Sequence, residues 1–168
     1  AFVREMRSEI DERLLGAAVT LAAGLSGGPG VIAVAYADWS RIGSLQPAAF
    51  PEIVHRAGAH GLLVDTAIKG KGRLPDFLAA EELRALGRAL RHHDLCFAVA
   101  GSLGLSDVPF ALGAGADILG LRGAVSIGGR NGRIDERLVS DFASLVRRGG
   151  EPSSLPSPAL PPAAQPLR

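Results

Sequence analysis

The chain has 168 residues, enough for one domain with a real core, and 47% of them are apolar. A formal net charge of +1, without a basic stripe or an aromatic RNA-type motif, argues against a nucleic-acid partner. The single cysteine, Cys96, excludes an internal disulfide framework and reads as a core residue in a reducing compartment.

The first element is a helix over Phe2–Ala23, with Ile10, Leu14, Ala17, Ala18 and Leu21 at helical spacing. Its most apolar stretch, Leu14 to Leu25, falls well short of the ~20 residues of a membrane span. Glu5, Glu9, Asp11 and Glu12 ahead of it are wrong for a signal peptide, so the expected location is the cytoplasm. Gly24 and Gly27-Gly28-Pro29-Gly30 stop the helix. Val31–Ala37 follows, an unbroken apolar run typical of a parallel strand covered on both faces. Asp38-Trp39-Ser40 ends it, and a helix is expected from about Pro47 to Arg56.

The same unit then recurs. Strands are expected at Gly61–Asp65, Leu95–Ala100 and Asp117–Leu121, with helices from about Ala79 to His92, Ser106 to Leu112 and Asp135 to Val146. Two joins resemble each other, Ala57-Gly-Ala-His-Gly61 and Ala114-Gly-Ala-Asp-Ile118, and both read as helix stops feeding a strand. The predicted organisation is a leading helix and linker over 1–30, four βα units over 31–148, and a Pro-rich disordered tail over 149–168. That is an α/β fold: either a small open sheet, as length alone suggests, or the last half of a (β/α)8 barrel of TIM type, normally about 250 residues.

The strand ends favour the barrel, because α/β folds gather function at the carboxyl ends of their strands. In order, those ends present Asp38, Asp65 with Lys69, Gly101-Ser102 and Arg122-Gly123. Lys69 and Lys71 are the only lysines against sixteen arginines. Arginine does not release its proton, so it cannot act as an amine nucleophile, whereas lysine can. An amine beside a carboxylate suits carbonyl chemistry, and two glycine-containing turns with an arginine suit phosphate. The predicted catalytic residues are therefore Lys69, Asp65 and Asp38, and the predicted phosphate-binding residues are Gly101, Ser102, Arg122 and Gly123.

Each has a plainer reading. Asp38 could cap its loop or pair with Arg41; Asp65 could be a structural partner of Lys69. Gly101-Ser102 could be an ordinary turn, and Arg122 could bridge to Asp117 or Asp135. Gly128-Gly-Arg-Asn-Gly-Arg133 looks suited to phosphate but lacks the P-loop lysine and its strand-to-helix setting. His92-His93 sits at a helix end, where the helix dipole is reason enough for it, and no metal or other cofactor is expected.

Val34-Ala-Tyr-Ala-Asp-Trp39, Asp65-Thr-Ala-Ile-Lys69 with Asp76-Phe-Leu78, Ala100-Gly-Ser-Leu103 and Gly120-Leu-Arg-Gly-Ala-Val125 together resemble the (5-formylfuran-3-yl)methyl phosphate synthases, from about Val31 to Val139. The resemblance implies a TIM-barrel lyase with aldolase-like lysine chemistry. Such an enzyme condenses two molecules of glyceraldehyde 3-phosphate into a furan aldehyde phosphate, eliminating one phosphate, on the way to methanofuran or an analogue. It implies that Asp65 and Lys69 are the family's aspartate–lysine pair on the sixth strand. The imine-forming lysine and a second catalytic lysine, in the first half of the family's barrel, have no counterpart here. Gly70-Lys71-Gly72, Pro75 and Ser126 also depart from the family pattern.

Three arrangements are open at this point. The chain is part of a longer synthase; or it is a half-barrel that joins a separate amino-terminal half or itself; or it is a remnant that binds a phosphometabolite or a partner without turnover. A different phosphate-binding barrel, such as a pyridoxal- or thiamine-pathway synthase, is the alternative enzyme.

Overall fold

The computed structural model describes residues 2–26 and 28–149. Its elements are α1 (Phe2–Ala23), β1 (Ile32–Tyr36), α2 (Trp39–Ile42), α3 (Phe50–Arg56), β2 (Gly61–Asp65), α4 (Ala80–His92), β3 (Cys96–Val99), α5 (Val108–Gly113), β4 (Ile118–Leu119), β5 (Ser126–Ile127), β6 (Arg133–Ile134) and α6 (Glu136–Arg147). Apart from Gly149, the proline-rich tail lies outside the described residues. No described helix is long and apolar enough to cross a membrane.

The four expected strands form one parallel sheet in the order β1-β2-β3-β4. Its register pairs Ile32 with Gly61, Gly61 with Cys96, and Ala98 with Ile118. The order follows the sequence, whereas a doubly wound sheet would reverse at a switch point. The sheet is open and four-stranded, which is consistent with the expected half of a barrel, and the described residues form no closed barrel.

Side chains alternate across the sheet with a period of two. Ala33, Ala35, Leu62, Val64, Phe97 and Val99 point to one face and are buried under Ile53 and Val54 of α3, Leu83, Leu86 and Leu90 of α4, and Ala111 of α5. Ile32, Val34 and Ile118 point the other way and are exposed. The expectation of cover on both faces is thus corrected: the described helices of the core pack on the same side, and among the described residues the second apolar face has no layer upon it.

Local signals explain the covered layer. Asp135 caps α6 by accepting the Leu138 N–H at 3.1 Å, and the Glu82 carboxylate reaches back to the Ala79 N–H at 2.8 Å ahead of α4. The two similar joins both end a helix on a left-handed glycine, Gly58 at φ 71° and Gly115 at φ 80°. α4 lies close against the turn that follows α5: a Cβ on Gly87 would sit 2.1 Å from the Ala114 carbonyl oxygen. β4 is shorter than the expected Asp117–Leu121. Asp117 instead lies at its start, where its backbone N–H donates to the Phe97 carbonyl and its carboxylate accepts the Phe97 N–H at 2.8 Å.

Candidate active site at the strand ends

Asp65 closes β2 beside Tyr36 of β1, on the uncovered face. Its Oδ1 accepts two bonds, from the Thr66 N–H at 2.7 Å and from Lys69 Nζ at 2.9 Å. Lys69 Nζ also donates to the Thr66 carbonyl, so the residues after the strand wrap the amine back onto the acid. About a third of the Lys69 side chain stays open to solvent. Thr66 itself is fully buried, and its hydroxyl has no hydrogen-bond partner.

Asp38 holds this loop from the neighbouring strand. Its two carboxylate oxygens accept the N–H groups of Ala67 at 2.7 Å and Ile68 at 2.9 Å, and the residue is only 2% exposed. Burial by itself would raise the carboxyl. The Ala67 and Ile68 N–H groups, with its own N–H and nearby Arg41, outweigh that and hold it below its ordinary value. Asp38 is therefore occupied as a loop anchor and makes no ion pair with Arg41.

The other end of the site is built by the turns after β3 and β4. Gly101, at φ 108°, has a backbone that side-chain-bearing residues rarely adopt, and Ser102 follows in the left-handed region at φ 55°. The Gly101 carbonyl accepts the Leu74 N–H at 2.8 Å, which ties this turn to the loop beyond Lys69. In that loop Arg73 Nη1 meets both oxygens of the buried Asp107 carboxylate at 2.9 and 3.0 Å, and Asp107 also accepts the Gly104 N–H at 2.8 Å.

After β4, Arg122 Nε donates to the Arg130 carbonyl at 2.9 Å, and Ser126 Oγ donates to the Arg122 carbonyl at 2.8 Å. Arg122 bridges neither Asp117 nor Asp135, since those carboxylates hold β3 and cap α6. Among the described residues, neither Arg122 nor Arg130 has an acidic partner within 4 Å.

A cleft of about 440 Å³ joins these parts. Of the residues expected from sequence, Asp65, Ser102, Arg122 and Gly123 line it; Lys69 stands behind Asp65, and Asp38 and Gly101 support the walls. Arg73 and Arg130 also line it and were missed. The Gly128–Arg133 string held the signal for Arg130: it forms the β5–β6 hairpin, which brings that arginine beside Arg122. Chemically the cleft offers an acid holding an amine at one end and three guanidinium groups at the other. Guanidinium groups suit phosphate oxygens, which they can meet with two parallel hydrogen bonds.

Two further readings find places. Cys96 is half-buried, and burial followed by the Asp117 carboxylate pushes its thiol up, away from nucleophilic use. His93 stacks on His55 with ring centroids 4.2 Å apart, on the helical side of the sheet.

The family model described as 4-HFC-P synthase matches residues 12–143. The (5-formylfuran-3-yl)methyl phosphate synthase of Methanopyrus kandleri is 44% identical over 118 residues, covering 69% of this chain and 50% of that protein. A putative (5-formylfuran-3-yl)methyl phosphate synthase of Streptomyces griseus is 42% identical over 120 residues, covering 70% of this chain and 48% of the relative. The synthase of Methanocaldococcus jannaschii is 38% identical over 119 residues, with 70% and 51% covered. The chain thus spans about half the length of the curated relatives it matches.

Proposed function

The chain belongs to the 4-HFC-P synthase family, and we propose that it forms one half of a (5-formylfuran-3-yl)methyl phosphate synthase. In this reading the assembled enzyme is a lyase of the cytoplasm that needs no cofactor. Its substrates are two molecules of glyceraldehyde 3-phosphate, and one phosphate and two waters leave as the furan forms. The chain supplies the phosphate rim and one aspartate–lysine pair. The observation that carries the reading is a single cleft in which Arg122 and Arg130, without acidic partners among the described residues, face the carboxylate that holds Lys69 Nζ at 2.9 Å.

The bonds support the following roles. Arg122 and Arg130 bind a substrate phosphate, with the Ser102 hydroxyl and the Gly123 backbone alongside; Arg73, held by Asp107, borders the same space. Binding at that end brings the carbonyl end of a three-carbon phosphate toward Asp65. Lys69, as an ammonium on the Asp65 carboxylate, delivers and recovers protons at carbons next to the carbonyl. Imine formation is assigned, as the family resemblance implies, to a lysine outside this chain, and Asp38 acts as a positioning residue that fixes the Ala67–Ile68 backbone ahead of Lys69.

Calorimetric titration of the chain with glyceraldehyde 3-phosphate and with inorganic phosphate tests the rim. Arg122→Ala and Arg130→Ala should each weaken both ligands by about tenfold, roughly 1.4 kcal/mol. Unchanged affinity in both variants would remove the phosphate assignment.

A further inference from the structure

On the helical side of the sheet, a second groove of about 350 Å³ lies between α3 and α4. It shares no lining residue with the strand-end cleft. Trp39, Pro47 and Pro51 come to it from the α2–α3 side, and Leu78 and Ala89 from the α4 side. Trp39 is the chain's only tryptophan and is partly exposed. The one charged residue in the lining is Glu82, whose carboxylate already accepts the Ala79 N–H at 2.8 Å.

That lining has a definite chemistry. Flat tryptophan and proline surfaces receive polyproline segments, which make no internal hydrogen bonds and leave their carbonyls for outside donors. Trp39 and Gln46 bring donor groups to the lining. An uncharged, proline-rich strand is the ligand that fits best.

The chain carries such a segment. Leu155-Pro-Ser-Pro-Ala-Leu-Pro-Pro162 has no charged residue, and Pro158 and Pro161 have the spacing of a polyproline ligand. Its reach is sufficient. α5 packs on both α4 and α6, so two helix spacings of ~8–10 Å lie between α6 and α4. Both α4 and α6 begin beside the strand-end loops, so their last turns, with Ala89 and Gly149, lie toward the same end. The nine residues from Gly149 to Pro158 cover roughly 28 Å in polyproline form, more than that separation.

We propose that Pro158–Pro162 of this chain's own tail docks in the Trp39–Pro47–Pro51 groove, as a polyproline strap across α5 and α4. Composition alone predicts disorder for the tail, but composition takes no account of a surface that can hold it. Trp39 directly follows Asp38, so the strap braces the strand end that anchors the Lys69 loop. The proposal is independent of the chemistry assigned to the strand ends.

Fluorescence of Trp39 in the full chain reports on the groove directly. Pro158→Glu combined with Pro161→Glu should move the emission to longer wavelength and roughly double acrylamide quenching, as the ring loses its cover. Far-ultraviolet circular dichroism and inorganic phosphate binding should not change. A synthetic peptide of residues 153–166, added to this tail variant, should restore the wild-type emission. Ala85→Arg, at an exposed position in the groove, should weaken that peptide by roughly tenfold when added to the tail variant. Unchanged emission in the tail variant would overturn the proposal. So would a peptide that fails to bind, or one that binds equally well with Ala85→Arg. A wild-type emission that moves to longer wavelength on dilution would place a second copy in the groove, and would overturn it as well.

Discussion

The two faces of this one sheet are built from similar residues and do different work. On the covered face Leu62, Val64, Phe97 and Val99 are fully or almost fully buried, and they hold the helices. On the open face Ile32, Val34 and Ile118 stabilise little within this chain, but the same face leads at its carboxyl end to Asp65 and to the cleft. Stability and the candidate site are thus separated by residue parity along each strand. A one-residue slip in register would exchange them.

The sharpest way to break that separation is Lys69→Arg. It keeps the charge, and in the proposed assembled enzyme it should lower turnover at least 1,000-fold, about 4 kcal/mol of barrier, with the melting temperature nearly unmoved. An active variant would remove Lys69 from the chemistry. Phe97→Ala on the covered face should do the reverse, costing about 3–5 kcal/mol in chemical denaturation. Ile118→Ala on the open face should stay within roughly 0.5 kcal/mol in the isolated chain. Equal losses at the two positions would mean that the open face is covered in solution.

Asp38 sits on the boundary and should affect both properties. Asp38→Asn sets an amide against two N–H donors, at a cost of about 1–3 kcal/mol. The sign with pH follows from the lowered carboxyl. Asp38 adds stability above the ordinary carboxylate value of 3.8, and this is lost as pH falls through the lower folded value. As pH falls through that lowered value the wild type should therefore converge on the Asn variant, and an unchanged gap in acid denaturation would contradict the anchoring role. A smaller effect than at Asp38 is expected at Ser102→Gly. It should relieve the left-handed backbone by roughly 0.5–1 kcal/mol while raising the Michaelis constant, if the hydroxyl meets phosphate.

Much of the covered layer was legible in the sequence because its signals are local. Glycine stops, apolar runs of strand length and helical spacing located β1 to β4 and the helices between them to within a few residues. The bare second face was not legible. A strand awaiting a partner has the same composition as one already covered, and Val34 and Val64 look alike until burial is known. The β5–β6 hairpin escaped notice because two-residue strands have no period. Asp65 and Lys69 were readable as a pair from their spacing. That Asp38 spends both oxygens on backbone, and that Arg122 turns to a carbonyl and not to an acid, depended on loops whose paths the sequence does not announce.

The unpartnered Thr66 hydroxyl, finally, sets a limit on how stable this loop is in its present form. An orphaned buried hydroxyl carries a penalty of about 1–3 kcal/mol, and here it adjoins the residues that hold the amine. Thr66→Val, nearly the same shape without the hydroxyl, should make the chain harder to melt. Such a gain would mark this loop as a place where selection has left thermal robustness unclaimed, and where an engineer in search of a hardier chain would begin.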